Sequence, residues 1–188
     1  FDDLYIGLVD PAKGNAGFYP GIFELIQAIP GDVKVGALTN AAVAYAEAVL
    51  SANNVRDRFA SVHGADDVAA AKPAPDGLLQ CCSELGVAPE HAIYVGDSPS
   101  DGAAARAAGC MSLSVTWGAN PAETLAANSD GMVSTVRQLR SLLCLDPSQQ
   151  QAPQRCSAAG SQGLDTAGEA RGRNSGQVAA SGAEGVHT

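Results

Sequence analysis

Residues 92–101 read Ala92-Ile93-Tyr94-Val95-Gly96-Asp97-Ser98-Pro99-Ser100-Asp101. A short apolar run meets a glycine, then a turn flanked by two aspartates, then an Ala-rich stretch that ends at Gly109. That order describes a buried strand entering a helix. The pattern repeats on both sides. Further strands are expected at Val33–Leu38, Ser61–His63, Met111–Thr116 and Gly131–Val133, beside Ala92–Val95 itself. Helices are expected at Gly21–Ile29, Ala41–Ala52, Pro75–Leu85, Ser100–Ala108, Pro121–Ala127 and Thr135–Leu143. Gly86 and Gly109 stand where a left-handed C-terminal cap falls. Pro75 and Pro121 stand near helix starts, where a missing N–H costs little. Strands alternating with helices imply βαβ units, a parallel sheet and right-handed crossovers. The fold class is therefore α/β, a Rossmann-like parallel sheet with helices on both faces.

The chain has 188 residues, enough for one domain with a buried core. Aromatic residues are only 5% of it, so that core rests on Ala, Val, Leu and Ile. The formal net charge of -9 repels phosphate backbones and argues against nucleic-acid binding. A small anionic substrate remains compatible, since backbone N–H groups, one Lys and a divalent cation can override a global charge. No apolar run approaches the roughly 18 residues that span a bilayer, so no membrane partner is expected and the reading is intracellular, cytoplasm or organelle stroma. Cys81, Cys82, Cys110, Cys144 and Cys156 form no C-x-x-C pair and read as buried reduced thiols. His63, His91 and His187 show no zinc-ligand spacing. Residues 146–188 are rich in Gln, Ala, Gly and Ser, without an aromatic residue, and read as a disordered low-complexity tail.

Open parallel sheets bind ligands outside the carboxyl ends of their strands. Three groups of residues fall there. Thr39 offers a hydroxyl and Asn40 a backbone N–H, a suitable place for an oxyanion; the bland alternative is an ordinary helix cap. Lys72, before Pro73, sits on a loop and is the only Lys or Arg between Arg58 and Arg106. It is either a charge-neutralising ammonium or a solvated surface Lys. Asp97 and Asp101 share i, i+4 spacing across a turn, and two hard oxygen ligands in a loop suit Mg²⁺. The bland alternative is a helix N-terminus whose dipole favours acids.

Together the three groups resemble a known family. Leu38-Thr39-Asn40, Lys72-Pro73-Ala74-Pro75 and Val95-Gly96-Asp97-Ser98-Pro99-Ser100-Asp101 look like the second, third and fourth motifs of the haloacid dehalogenase superfamily. Phe18-Tyr19-Pro20-Gly21 looks like the family's re-entry from a cap into the core, and Val115-Thr116-Trp117-Gly118 resembles phosphoglycolate-phosphatase-like members. The resemblance implies a Mg²⁺-dependent phosphatase of small phosphorylated metabolites, working through an aspartyl phosphate. In it Thr39 and Asn40 hold the phosphoryl group and Lys72 offsets charge. Asp97 binds the metal, with Asp101 supporting it directly or through water.

The first motif, an apolar strand ending in Asp-x-Asp-Gly-Thr, is absent from these residues. Asp10 follows the apolar run Leu4–Val9, but Ala12 and Lys13 stand where the second Asp and the Gly belong. Residues 1–17 accordingly read as the end of a helical cap and a linker, 18–145 as the core, and 146–188 as the tail. The chain then reads as a fragment lacking the central nucleophile strand between those ending at Leu38 and Val95, unstable alone because both neighbours lose a pairing partner. Two alternatives stay open. One is a non-catalytic phospholigand-binding or regulatory domain; the other uses the same core for another reaction, such as phosphosugar mutation or phosphonate hydrolysis. Substrate identity and oligomeric state are not written in these residues.

Overall fold

The computed structural model describes residues 9–10, 16–143 and 145, together with a strand at 177–180. Five strands follow the expected places: β1 (Val35–Leu38), β2 (Ser61–His63), β3 (Ala92–Gly96), β4 (Met111–Val115) and β5 (Gly131–Val133). Between and around them lie α1 (Ile22–Ala28), α2 (Val43–Ala52), α3 (Asp76–Leu85), α4 (Pro99–Ala108), α5 (Ala122–Leu125) and α6 (Val136–Leu142). The Pro121–Ala127 helix is shorter than expected: its α-helical part ends at Leu125 and Ala126–Asn128 continue as a 3-10 turn.

Every strand pairing is parallel, and the strand order is β2-β1-β6-β3-β4-β5. Strands buried on both faces need apolar residues at every position, and all four residues of β1 are buried. Their alternation sorts side chains into two cores. Val35, Ala37, Val95, Leu113 and Val115 join Leu25, Ile26, Leu50 and Leu139 on the face covered by α1, α2 and α6. Leu38, Ala92 and Tyr94 join Leu78, Cys81, Cys82, Ala104 and Cys110 on the face covered by α3 and α4. Gly86 and Gly109 close α3 and α4 at φ 67° and 79°, the left-handed caps expected of them.

Cys81, Cys82 and Cys110 are free buried thiols. Cys81 faces Ser61, and burial pushes its pKa up to about 11. Cys82 faces Cys110 instead. Cys144 and Cys156 lie outside the described residues. Among the described residues no helix is long and apolar enough to cross a membrane.

The expectation for the centre of the sheet needs correcting. The slot between β1 and β3 is occupied by β6 (Gln177–Ala180), which pairs in parallel with both neighbours. Ala180 stands level with Ala37 on one side and Val95 on the other. The physical reason is the one that made an empty slot costly: two facing rows of N–H and C=O groups need a partner. Four residues from the stretch read as a tail meet that need here. The rest of 146–188, and the Leu4–Val9 run before Asp10 except Val9 itself, lie outside the described residues.

Candidate active site

The carboxyl ends of β1 and β3 and the loop carrying Lys72 meet around one buried ammonium. The Lys72 side chain is 2% exposed, and its Nζ lies 2.7 Å from Asp101 Oδ1, whose side chain is 5% exposed. Nζ also reaches Tyr94 Oη at 3.1 Å and the Leu38 carbonyl at 3.4 Å. An ammonium has three protons, and three acceptors surround this one. Tyr94 Oη lies in turn 3.1 Å from the Leu38 carbonyl and 3.3 Å from Asp101 Oδ1, so its single proton has two acceptors within reach. Lys72 is therefore no solvated surface residue. Its charge ties the end of β1 to the turn after β3.

Asn40 fixes the same loop from the backbone side. Its side-chain amide donates to the Lys72 carbonyl and its side-chain oxygen accepts from the Lys72 N–H, both at 3.0 Å. Asn40 is thus a clamp on Lys72 and not a cap of α2. The first N–H of that helix, at Val43, is held by Asp66 Oδ1 at 2.8 Å. Thr39 is buried, its N–H donates to the His63 carbonyl, and its hydroxyl oxygen accepts from the Ala41 N–H at 3.0 Å.

For Asp101 both readings of the sequence describe one residue. Its Oδ2 accepts from the N–H groups of Asp97 and Ser98 at 3.0 and 2.9 Å, and Ser98 returns the contact in a capping box at the start of α4. Its Oδ1 faces Lys72 and Tyr94. Both oxygens are committed inside the protein, which suits Asp101 to shaping the turn.

Asp97 differs. The Ala119 N–H reaches its Oδ2 at 3.2 Å, and Asn120 holds its backbone carbonyl at 3.0 Å. A side chain at position 118 would run into the Asp97 carboxylate, so Gly118 lets the loop after β4 close over it. Burial first, and then the neighbouring Asp101 charge, push the Asp97 pKa up, against the pull of the Ala119 hydrogen bond and Lys72. A partly desolvated carboxylate short of positive partners is a good ligand for a hard cation. Among the described residues no three His, Cys, Asp or Glu side chains gather to hold a metal. Mg²⁺ commonly takes one or two carboxylates, waters and substrate oxygens, and Asp97 fits as one such carboxylate.

All five residues singled out from the sequence lie at this end of the sheet. Two others were not singled out. Tyr94 reads as one more strand residue; its signal was a hydroxyl in an otherwise apolar run. His63 carried no ligand spacing, yet its ring is 8% exposed and lies 2.9 Å from both Asp67 and Glu84.

The haloacid dehalogenase-like hydrolase family model matches residues 10–115. The chain belongs to that family. It is similar to the phosphoglycolate phosphatase of Escherichia coli strain K12, with 35% identity over 124 residues, 65% of this chain and 48% of that protein. The chain thus spans about half the length of the curated relatives it matches. Solved family structures superpose on it. A hydrolase from Deinococcus radiodurans with bound phosphate and sodium aligns at TM-score 0.61 and 21% identity, over 67% of this chain and 58% of that one, and speaks for the fold. CbbY from Rhodobacter sphaeroides, in complex with xylulose-(1,5)bisphosphate, aligns at TM-score 0.55 and 28% identity, over 61% of this chain and 52% of that one.

Proposed function

We propose that this chain is the phosphate-holding core of a Mg²⁺-dependent phosphatase of small phosphate monoesters, phosphoglycolate-phosphatase-like, that works through an aspartyl-phosphate intermediate. The observation that carries the reading is the junction of Leu38–Asn40, Lys72 and Asp97–Asp101 through the buried Lys72–Asp101 pair. Family membership and the likeness to phosphoglycolate phosphatases support the substrate class.

In this reading a carboxylate oxygen attacks phosphorus while the ester P–O bond breaks, and a second aspartate gives the leaving oxygen a proton. Water, losing its proton to that same aspartate, then attacks the acyl phosphate and releases inorganic phosphate. Thr39 Oγ1 already accepts from Ala41, so its own proton is left to donate to a phosphoryl oxygen. The Asn40 backbone N–H supplies a second donor, fixed in place by the side-chain clamp on Lys72. Lys72 lowers the cost of bringing a phosphate dianion near a carboxylate. The Leu38 carbonyl, its longest contact, is the acceptor most readily exchanged for phosphate. Asp97 would hold Mg²⁺, which when bound offsets phosphoryl charge, and Asp101 keeps the Asp97 turn in shape. Such catalysis rests on positioning and charge.

By the family resemblance, the two reacting aspartates would come from a strand between β1 and β3, one step beyond the level that Ala180 shares with Ala37 and Val95. The residues after Ala180 are Ser181-Gly182-Ala183, none of them acidic. The reading therefore takes the nucleophile strand to lie outside these 188 residues and to replace β6, and this chain alone to be inactive. One observation favours a second reading, a non-catalytic phospholigand-binding domain: β6 fills the slot without offering an acid.

Expression with the coding sequence extended upstream of Phe1, assayed on p-nitrophenyl phosphate and 2-phosphoglycolate, separates the two. Mg²⁺-dependent turnover that falls about 10²–10³-fold in Asp97→Ala supports the phosphatase. A folded longer chain that binds inorganic phosphate without turnover supports the binding domain.

A further inference from the structure

We propose that His63 is a positioning residue for the segment that delivers Lys72: as an imidazolium bridging Asp67 and Glu84, it fastens residues 64–72 to β2 and α3, and deprotonation loosens that hold. The assignment of a task to Lys72 rests on the function proposed above; the fastening itself does not.

His63 is the last residue of β2, and its carbonyl accepts the Thr39 N–H at 3.0 Å. Its Nδ1 lies 2.9 Å from Asp67 Oδ2 and its Nε2 lies 2.9 Å from Glu84 Oε2. A neutral imidazole carries one N–H and one lone pair. It satisfies one of these carboxylates and turns its lone pair on the other. Only the doubly protonated ring donates to both.

Each carboxylate belongs to an element that flanks Lys72. Asp67 lies on the outgoing segment, and its Oδ1 also accepts the Gly64 N–H at 2.8 Å. The neighbouring Asp66 holds α2 at Val43. Glu84 lies on α3, which starts at Asp76 soon after Lys72, and it also accepts from Ser61 Oγ at 2.8 Å. One charge thus joins both arms of the hairpin-like path that carries Lys72 inward.

The groups facing the ring from neighbouring elements are Asp67 on the segment and Glu84 and Gln80 on α3, with Cys81 of α3 turned to Ser61. Glu47 of α2 is engaged with Arg56, and β1 carries no titratable residue. Burial opposes the charge on His63, but the hydrogen bonds and charges of Glu84 and Asp67 outweigh it and hold its pKa above the ordinary 6.5. The geometry and the titration therefore point the same way.

The test uses the isotopically labelled 188-residue chain followed by NMR from pH 5.5 to 9. The His63 ring should titrate with a midpoint above 6.5. Amide protection at Gly64, Asp67 and Lys72, corrected for intrinsic exchange, should fall about tenfold through the same midpoint. Glu84→Gln should lower the midpoint by about one unit, and the protection change should move with it. His63→Asn should remove the pH-dependent change in protection; should it fail to fold, Glu84→Gln keeps the test decisive. A ring that titrates at or below 6.5, or protection that ignores the shifted midpoint, overturns the proposal. Affinity for inorganic phosphate, measured in parallel, should weaken through the same shifted midpoint. If no phosphate binds at any pH, the functional reading of the site fails, while the protection data still decide the role of His63.

Discussion

Two buried cations stand at the carboxyl end of this sheet, and they are held in different ways. Lys72 lies at its centre, between β1 and β3, with three acceptors for three protons and side-chain exposure of 2%. His63 lies at its edge, on β2, between carboxylates whose side chains are 34% and 44% exposed. The central cation has no water to fall back on if a partner is lost, whereas the partners of the edge cation are already half hydrated. Position in the sheet thus decides whether a charge is a fixed strut or a titratable latch.

Removing Lys72 should give the largest effect. Lys72→Met leaves the Asp101 carboxylate buried without its cation, and losing one member of a buried pair costs about 3–5 kcal/mol. Denaturant unfolding should show that loss. Lys72→Met combined with Asp101→Asn should cost less than the sum of the single changes, since the pair acts as a unit. A loss below about 1 kcal/mol in Lys72→Met would mean the ammonium is hydrated, and the contrast with His63 would collapse.

Tyr94→Phe comes next. It removes one acceptor from Lys72 and one donor near Asp101 and Leu38 while keeping the ring that fills the core. The expected cost is about 1–2 kcal/mol, the range for a buried polar group that loses one partner. In the longer chain, Tyr94→Phe should also weaken phosphate binding, because a less constrained ammonium is a poorer preorganised charge.

Tyr94 also marks how far the sequence can be read. Strands at Ser61–His63 and Gly131–Val133 were legible to the residue from short β-branched or apolar runs set between helical stretches. Thr39, Asn40, Lys72, Asp97 and Asp101 were legible as a group because they follow strand ends. The hydrogen-bonding role of Tyr94 was not, since it depends on a strand end, a loop and a helix start converging from positions 38, 72 and 101. Asn40 was noticed for its backbone, while its side chain does the clamping. The strand at Gln177–Ala180 was hidden for a different reason. Its pairing comes from two open edges elsewhere in the chain and not from any apolar period of its own.

The smallest effect concerns the edge latch, and its sign can be worked out. His63 has a raised pKa, so its contribution is complete below the ordinary 6.5 and is lost as pH rises through the raised value. For Glu84, burial opposes the charge, but hydrogen bonds from His63, Ser61 and Gln80 win and lower the pKa. Its contribution is complete above the ordinary 4.5 and is lost as pH falls through the lowered value. The latch therefore gives its full stabilisation between about pH 4.5 and 6.5. Solvent screening of the half-exposed Glu84 keeps this to roughly 0.5–1 kcal/mol. Thermal melts of the wild type and Glu84→Gln at pH 6 and pH 8.5 measure it directly. The difference between the two proteins should be present at pH 6 and shrink towards pH 8.5, as the wild-type ring loses its charge through its raised pKa. A difference that stays constant across that interval would mean Glu84 stabilises α3 through Ser61 and Gln80 alone, and that the edge holds no titratable latch.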